Sequence, residues 1–407
     1  MLEEKNFLLQ RFYIYQQKYS PWKAMMHLMC FYVKMRFSAK RNLTLGPSNA
    51  VYMACFCKGG VGDVITQIAF LHHLLKFTKE PIVLFLFVDQ RPENIGILAS
   101  KLPFIKKIYP YIEKNKYLHL FDIVLTLNTQ FPRFFIQNYG KCQKFAPVLL
   151  SYIQESCKWN ETHKGIVAIA SMFSAQYWCL VHKKTMLTAM DTPNKLNLDK
   201  NAGFPIELQQ ADIVNVLEKF KLKNKKIITV QYSTDINNLP FSGKSIKFYP
   251  LKHWQKMLSM LKALYPSYTI VQLGVSGNEE MQGVDLRLIG QTSFYEYLVL
   301  LQYSALHIDQ EGGAAHIRHY LCRKPTVVLF GPTSHKVRGY DENINLRIPT
   351  CGLELCEWLD GNRWYETCPK YNDSVCSCLE KISPEMVVET IRNSHILKEE
   401  NPAGRTL

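Results

Sequence analysis

The sequence predicts an α/β fold made of two Rossmann-like halves, and three observations lead there. Short apolar runs alternate with longer periodic ones from residue 51, and the same alternation resumes after a break near residue 205. No repeat of solenoid period runs through the chain. At 407 residues it is too long for one ordinary core, so two domains are expected, with the strand ends of both sheets meeting at a central cleft.

Residues 1–50 come first and read differently. Lys5, Arg11, Lys18, Lys23, Lys34, Arg36, Lys40 and Arg41 stand against only Glu3 and Glu4, with Phe12, Tyr15, Tyr19, Trp22, Phe31 and Tyr32 interleaved. One reading is a basic amphipathic helical arm lying on an anionic membrane face. The other is a helical hairpin packed on the body or on another subunit. The opening "MLEEKNFLLQ" has no basic region before an apolar stretch, so no secretory signal is expected. The apolar run from Ala24 to Val33 is broken by His27 and falls well short of the roughly 20 residues a spanning helix needs.

The first alternation opens with "VYMACFC" (51–57), a buried strand, and "KGGVGD" turns into the helix "VITQIAFLHHLLKF". "PIVLFLFVD" (81–89) and "FDIVLTLN" (121–128) are further strands, giving the β-α-β order of a parallel sheet. Residues 131–205 show helical patches without a clear period, and "DTPNKLNLDKNAGFPIE" has the Pro, Gly and Asn content of a linker. In the second alternation, "KKIITVQYS" (225–233) is a strand, "PLKHWQKMLSMLKALY" a helix and "YTIVQLG" (268–274) a strand. "SFYEYLVLLQYS" (293–304), "ALHID", "GAAHIRHYL" and "PTVVLF" continue as helix, strand, helix, strand. Ser383 as cap and Pro384 in the first turn start a closing helix, "PEMVVETIRNSHIL".

Three stretches carry residue types suited to chemistry. In "HIDQEGGAAHIRHYLCRKPTVVLFGPT" (307–333), Gly312 and Gly313 leave backbone N–H groups open at a helix start, a phosphate-binding device. Asp309 and Glu311 beside them can accept hydrogen bonds from sugar hydroxyls, and His316 lies one turn inside the helix. The plain alternative is a capped helix with a core histidine. "KGGVGDVITQ" (58–67) is not a P-loop, because no Gly-Lys-Ser/Thr follows, and Ile65 stands where a dinucleotide fingerprint needs its third glycine. Asp63 there is either a residue aimed at the cleft or an acid complementing the helix dipole. "SGKSIKFYPLKHW" (242–254) sets Lys244 and Lys247 between a strand and a helix, where Lys247 could neutralise a diphosphate or be one basic residue among many.

Together these stretches resemble glycosyltransferase family 9, the ADP-heptose heptosyltransferases. The 307–333 stretch is similar to the family's donor-site turn, with its strand ending Phe-Gly-Pro-Thr, and "LIGQTSFYEYLVLLQYSALHID" to the run into it. "KGGVGDVITQIAFLHHL" looks like its N-terminal Gly-Asp motif and "KFYPLKHW" like its lysine-tryptophan segment. The resemblance covers about residues 51–76 and 225–395. It implies the GT-B fold, two Rossmann-like domains with the donor bound mainly by the second, so the chain divides into the arm over 1–50, an acceptor domain over 51–205, a donor domain over 206–383 with the cysteine-rich segment 351–378, and a closing helix and tail over 384–407.

The resemblance also implies roles. Asp63 is then the general base and Lys247 the stabiliser of the departing diphosphate, while Gly312, Gly313 and His316 hold that diphosphate. Asp309 and Glu311 contact the transferred sugar, Glu279 and Thr292 the nucleoside, and Lys244 also belongs to the donor side. Lys58, Gly60 and Gly62 form the acceptor-side loop. The family needs no metal for the reaction. Glu311 and the two glycines replace a shorter Ser-Gly turn, a form closer to the branch that glycosylates bacterial autotransporter proteins.

"CGLELCEWLDGNRWYETCPKYNDSVCSC" gathers Cys351, Cys356, Cys368, Cys376 and Cys378. Four thiolates in a loop-rich segment suit zinc or iron; free thiols in a small apolar loop are the alternative. The resembling branch has an iron-binding cysteine finger here, which implies Cys351, Cys356, Cys368 and Cys378 as ligands, with Cys376 as substitute. Twelve cysteines without a signal point to a reducing compartment.

The expected function is an inverting transferase that moves heptose or a similar sugar from an ADP-sugar to a glycolipid or protein hydroxyl. It would be cytoplasmic, at the inner membrane face, as a homo-oligomer or alone. A net charge of +15 also admits a nucleic-acid binder with a cysteine knuckle, but Asp309 and Glu311 would repel a phosphate backbone. An NAD(P)-dependent oxidoreductase is disfavoured by the missing third glycine.

Overall fold

A computed structural model of the chain describes residues 22, 25, 26, 29, 47–100, 102–127, 131–168, 172–204, 206–232, 245–357, 359, 367–373 and 375–398. The arm expected over 1–50 lies almost wholly outside them. Of its described residues, Trp22, Met25, Met26 and Met29 are helical and exposed. Two compact units emerge. The first holds the chain up to Gly60, Phe70–Thr162 and Thr192–Leu196; the second holds Val61–Ala69, His163–Asp191 and the chain from Asn197 onward.

The first unit is built on a five-stranded sheet. Strand β1 (Val51–Cys57) is wholly buried, as its unbroken apolar run requires of a central strand. Helix α1 (Val61–Thr78) follows, then β2 (Ile82–Val88), α2 (Pro92–Ala99) and β3 (Ile105–Pro110). After short helical turns come β4 (Ile123–Leu127) and β5 (Arg133–Ile136). The order is β3-β2-β1-β4-β5, parallel except for β5, which pairs antiparallel with β4. Phe56, Phe85, Phe87, Tyr109, Tyr117 and Phe121 make an aromatic core on this sheet.

Among its described residues, the stretch over 131–205 without clear period resolves into β5 and the helices α3 (Tyr139–Phe145), α4 (Pro147–Thr162), α5 (Lys164–Ala168) and α6 (Met172–Val181). Single polar contacts fix its first part. Asp122 accepts from the Tyr52 amide at 2.9 Å and from Lys141 Nζ at 2.8 Å, and Asn138 caps α3 by accepting from the Lys141 amide.

The second unit carries α7 (Gln210–Lys219), β6 (Lys226–Gln231), α8 (Leu251–Leu264), β7 (Tyr268–Leu273), β8 (Leu286–Arg287) and α9 (Phe294–Tyr303). Then come β9 (Leu306–Gln310), α10 (Gly313–Cys322), β10 (Thr326–Leu329), α11 (His335–Arg338), β11 (Ile344–Leu346), α12 (Ser377–Glu380) and α13 (Pro384–Asn393). The six strands are all parallel, in the order β11-β10-β9-β6-β7-β8.

Helix α8 buries Trp254, Met257, Leu258 and Leu261, the stripe its spacing dictates. The closing helix α13 begins as expected, with the Ser383 hydroxyl accepting from the Met386 amide and Pro384 in the first turn. It buries Val387, Val388 and Ile391 in the same core as α8. Cys351, Cys376 and Cys378 belong to that core too, so the cysteine-rich segment is part of the second unit's packing.

Candidate active site

Parallel sheets bind ligands where the strand order reverses, beyond the carboxyl ends of the strands. In the second unit that point lies between β6 and β9, which are neighbours whose successors β7 and β10 lie on opposite sides. Gln310 and Glu311 leave β9 there. The Tyr249 amide donates to Gln310 Oε1 at 3.1 Å, tying the Lys247 loop to the same strand end. Helix α10 starts immediately after, and its N-cap Gly312 offers no side-chain cap. The first amides of α10 are thus left to an anion.

Charge converges on Glu311. Lys247 Nζ stands 2.8 Å from its Oε2, His316 Nε2 3.7 Å and Arg338 3.6 Å from its Oε1. The Lys247 and Glu311 side chains are only 10% and 5% exposed. Burial alone would raise the Glu311 carboxyl, but the charges of Lys247 and Arg338 outweigh it and hold it well below the usual range. His316 is fixed from its other side, where Nδ1 shares a 2.7 Å hydrogen bond with the Tyr340 hydroxyl.

Asp309 behaves in the opposite way. Its side chain is buried, and burial together with the nearby Glu311 charge pushes its carboxyl well above the ordinary range. Its Oδ2 lies 3.8 Å from His307 Nε2, and neither atom has a hydrogen-bond partner among the described residues. Burial and Arg318 lower His307 to about 3, so its imidazole is neutral at ordinary pH.

The start of α1, counted with this unit, reaches the same place. A Cβ on Gly62 would fall 2.8 Å from His316 Cδ2 and 3.1 Å from Gly313 Cα. Only a glycine lets the two backbone segments approach so closely. Asp63, next in sequence, lies 3.4 Å from Arg338 through Oδ1 with its side chain 32% exposed. Asp63, Lys247, Glu311, Gly313 and His316, chosen from separate motifs, are thereby brought together.

The remaining expected residues sit as follows. Glu279 is exposed on the loop after β7, and its charge, after burial, helps push the Tyr232 hydroxyl at the end of β6 up to about 12. Thr292 is half-buried, just before the Ser293 cap of α9. Lys58 and Gly60 leave β1 in the first unit, with Lys58 Nζ 4.9 Å above the Tyr111 ring. Lys244 lies outside the described residues.

All five thiols of the cysteine-rich segment are buried. Cys351 interacts with Cys368 and Cys378, Cys356 with Cys351, Cys368 and Cys378, and Cys376 hydrogen-bonds Cys378. That bond holds Cys378 well below the usual thiol range. The thiols converge, yet among the described residues no three His, Cys, Asp or Glu side chains stand as a ready ligand set.

Sequence reasoning missed four residues of this site. Arg338 touches Asp63, Glu311 and Glu357; Glu357 accepts from Gln176 Nε2 at 2.7 Å, and Tyr340 braces His316. Arg338 and Tyr340 lie just beyond the Phe-Gly-Pro-Thr motif, at and after the end of a four-residue helix too short to give a periodic signal.

This fold has known counterparts. No family model and no curated protein matches the chain. Among solved structures it is similar to ADP-heptose lipopolysaccharide heptosyltransferase II of E. coli, at 14% identity and a TM-score of 0.52, over 84% of this chain and 98% of that one. It is similar also to TibC, the iron-containing dodecameric glycosyltransferase of enterotoxigenic E. coli H10407, at 14% identity and a TM-score of 0.53, over 85% of this chain and 78% of that one. At such identity the likeness establishes the fold, that of GT-B glycosyltransferases, and the expectation of an α/β chain with two Rossmann-like parts holds. Among the described residues no helix is long and apolar enough to cross a membrane.

Proposed function

We propose that this chain is an inverting glycosyltransferase of the heptosyltransferase type, using an ADP-activated heptose or similar sugar. The observation that carries the reading is the meeting, at the strand-order reversal of one parallel sheet, of an uncapped helix start, Lys247 and the Asp63 carboxylate. A fixed cation and a helix N-terminus suit a leaving diphosphate, and a half-exposed carboxylate suits the acceptor's proton.

In this reading the acceptor hydroxyl gives its proton to Asp63 as its oxygen attacks the anomeric carbon. The bond from that carbon to the diphosphate oxygen breaks, and the electron pair leaves with ADP. Lys247 and the amides at the start of α10 meet the charge that develops on the diphosphate; Glu311 and Asp309 orient the sugar. Glu279 and Thr292, with Lys244, serve the nucleoside side. Lys58, Gly60 and Gly62 line the acceptor side, and the acceptor is a hydroxyl of a glycolipid or a protein.

Titration calorimetry with ADP, UDP, GDP and NAD tests the reading. Selective ADP binding that Lys247→Ala weakens supports it; binding of NAD alone rejects it in favour of a dehydrogenase. The same reading extends to a structural iron or zinc held by four of the five clustered thiols, to self-association, and to cytoplasmic placement against an anionic membrane through the basic segment around Trp22. Elemental analysis, sedimentation and vesicle binding address these in turn.

A further inference from the structure

Arg338 stands beside three carboxylates of the site, and neither the base nor the donor-holding role needs it. Its guanidinium lies 3.4 Å from Asp63 Oδ1, 3.6 Å from Glu311 Oε1 and 3.5 Å from Glu357 Oε2, with 8% of the side chain exposed. A guanidinium is planar and permanently charged, so three carboxylates around it are held at fixed angles to one another.

The third carboxylate does not come from the substrate-facing loops. Glu357 is buried and follows Cys356 directly. The Cys356 and Glu357 amides both donate to the Pro332 carbonyl, at 2.9 and 3.0 Å, which pins this end of the cysteine-rich segment to the loop after β10. Gln176 Nε2, on α6, donates to Glu357 Oε2 at 2.7 Å. Arg338 itself ends α11, whose Val337 carbonyl receives the Met186 amide at 3.1 Å. The guanidinium is thus seated from behind by packed structure and presents its front to Asp63 and Glu311.

We propose, resting on the transferase reading above, that Arg338 is a positioning residue. It sets the distance and angle between the base Asp63 and the donor turn at Glu311, and Glu357 of the cysteine-rich segment seats it. Buried ion clusters lose their geometry when one member goes, because the remaining charges seek new partners. Without Arg338, Asp63 and Glu311 lose the partner they share, and the base no longer has a fixed relation to the anomeric carbon. A merely structural arginine would instead affect folding and every ligand alike.

The test uses the full chain, with ADP-heptose as probe donor and ADP release to water as the assay. Arg338→Ala is expected to lower kcat about 100-fold with KM and the ADP dissociation constant within about threefold, the signature of lost positioning. Arg338→Lys should recover only part, and free guanidinium ion should raise the Arg338→Ala rate. Glu357→Gln should lower kcat about tenfold in the same pattern. Unchanged kcat in Arg338→Ala, or a parallel loss of ADP affinity and kcat that guanidinium does not relieve, overturns the proposal. Thermal melts across Asp63→Asn, Arg338→Ala and the double variant keep the two questions apart. Additive shifts overturn the clamp itself, whereas a wild-type chain that neither binds ADP nor turns over ADP-heptose overturns the transferase reading.

Discussion

Replacing Glu311 with Gln separates the two tasks that the structure gives this side chain. In the protein without donor, Glu311 is the anion that Lys247, Arg338 and His316 share. Removing one partner of a buried ion pair commonly costs 3–5 kcal/mol, but the glutamine amide oxygen can still accept from Lys247 and Arg338 keeps two other carboxylates, so about 2 kcal/mol is expected at pH 7. The sign of the pH dependence follows from the lowered carboxyl. Its contribution is present in full above the unfolded value of about 4.3 and is lost as pH falls through the folded one. The gap between wild type and variant should therefore stay near 2 kcal/mol from pH 7 to pH 5 and narrow below about pH 4.

Urea unfolding followed by tryptophan fluorescence measures that gap, since Trp254 is buried in the core of the same unit. Donor affinity should move the other way. With Glu311 neutral, the carboxylate 2.8 Å from Lys247 no longer competes with a diphosphate, and ADP should bind about tenfold more tightly, the equivalent of about 1.4 kcal/mol. A gap of the same size at pH 7 and pH 3.5, or weaker ADP binding in the variant, would refute the reasoning.

Three further outcomes are expected. Gly62→Ala forces a Cβ to 2.8 Å from the His316 ring and 3.1 Å from Gly313 Cα, so it should destabilise by about 1–3 kcal/mol and weaken ADP binding, read by thermal melts and calorimetry. Trp254→Ala empties the largest fully buried side-chain volume among the described residues and should cost about 3–5 kcal/mol in urea unfolding. If the clustered thiols hold iron or zinc as proposed, Cys378→Ser, which removes the thiol that its bond to Cys376 holds well below the usual range, should lower the metal found by elemental analysis; unchanged metal content would show that Cys378 is not a ligand.

Much of the fold was legible because burial writes itself into pattern. Short unbroken runs such as Val51–Cys57 read as central strands, and the stripe Trp254, Met257, Leu258, Leu261 reads as one face of a helix. The stretch after residue 131 resisted for a definite reason. Its edge strand Arg133–Ile136 is short, and its first part is located by Asp122, Asn138 and Lys141, single polar contacts that leave no periodic trace. The site divides the same way. Asp63, Lys247, Glu311 and the two glycines announce themselves as polar or flexible residues at strand ends, while Arg338, Glu357 and Gln176 matter only through whom they meet in space.

Glu311 shows why a departure from a familiar pattern can be informative. In the turn after β9 the sequence places an acid where the resembling motif has none, which at first looks adverse beside a helix start meant for a diphosphate. The structure surrounds that acid with Lys247, Arg338 and His316. Lysine and arginine side chains buried this deeply need an anion at all times, and before donor arrives the chain must supply its own. Asp309 is no substitute, because burial and the Glu311 charge raise its carboxyl toward the neutral form. The ionised acid therefore has to be Glu311. In the transferase reading, a diphosphate entering at α10 would meet Lys247 already in place and exchange one anion for another. The cation geometry is then set in advance, and donor affinity carries the cost of displacing a carboxylate.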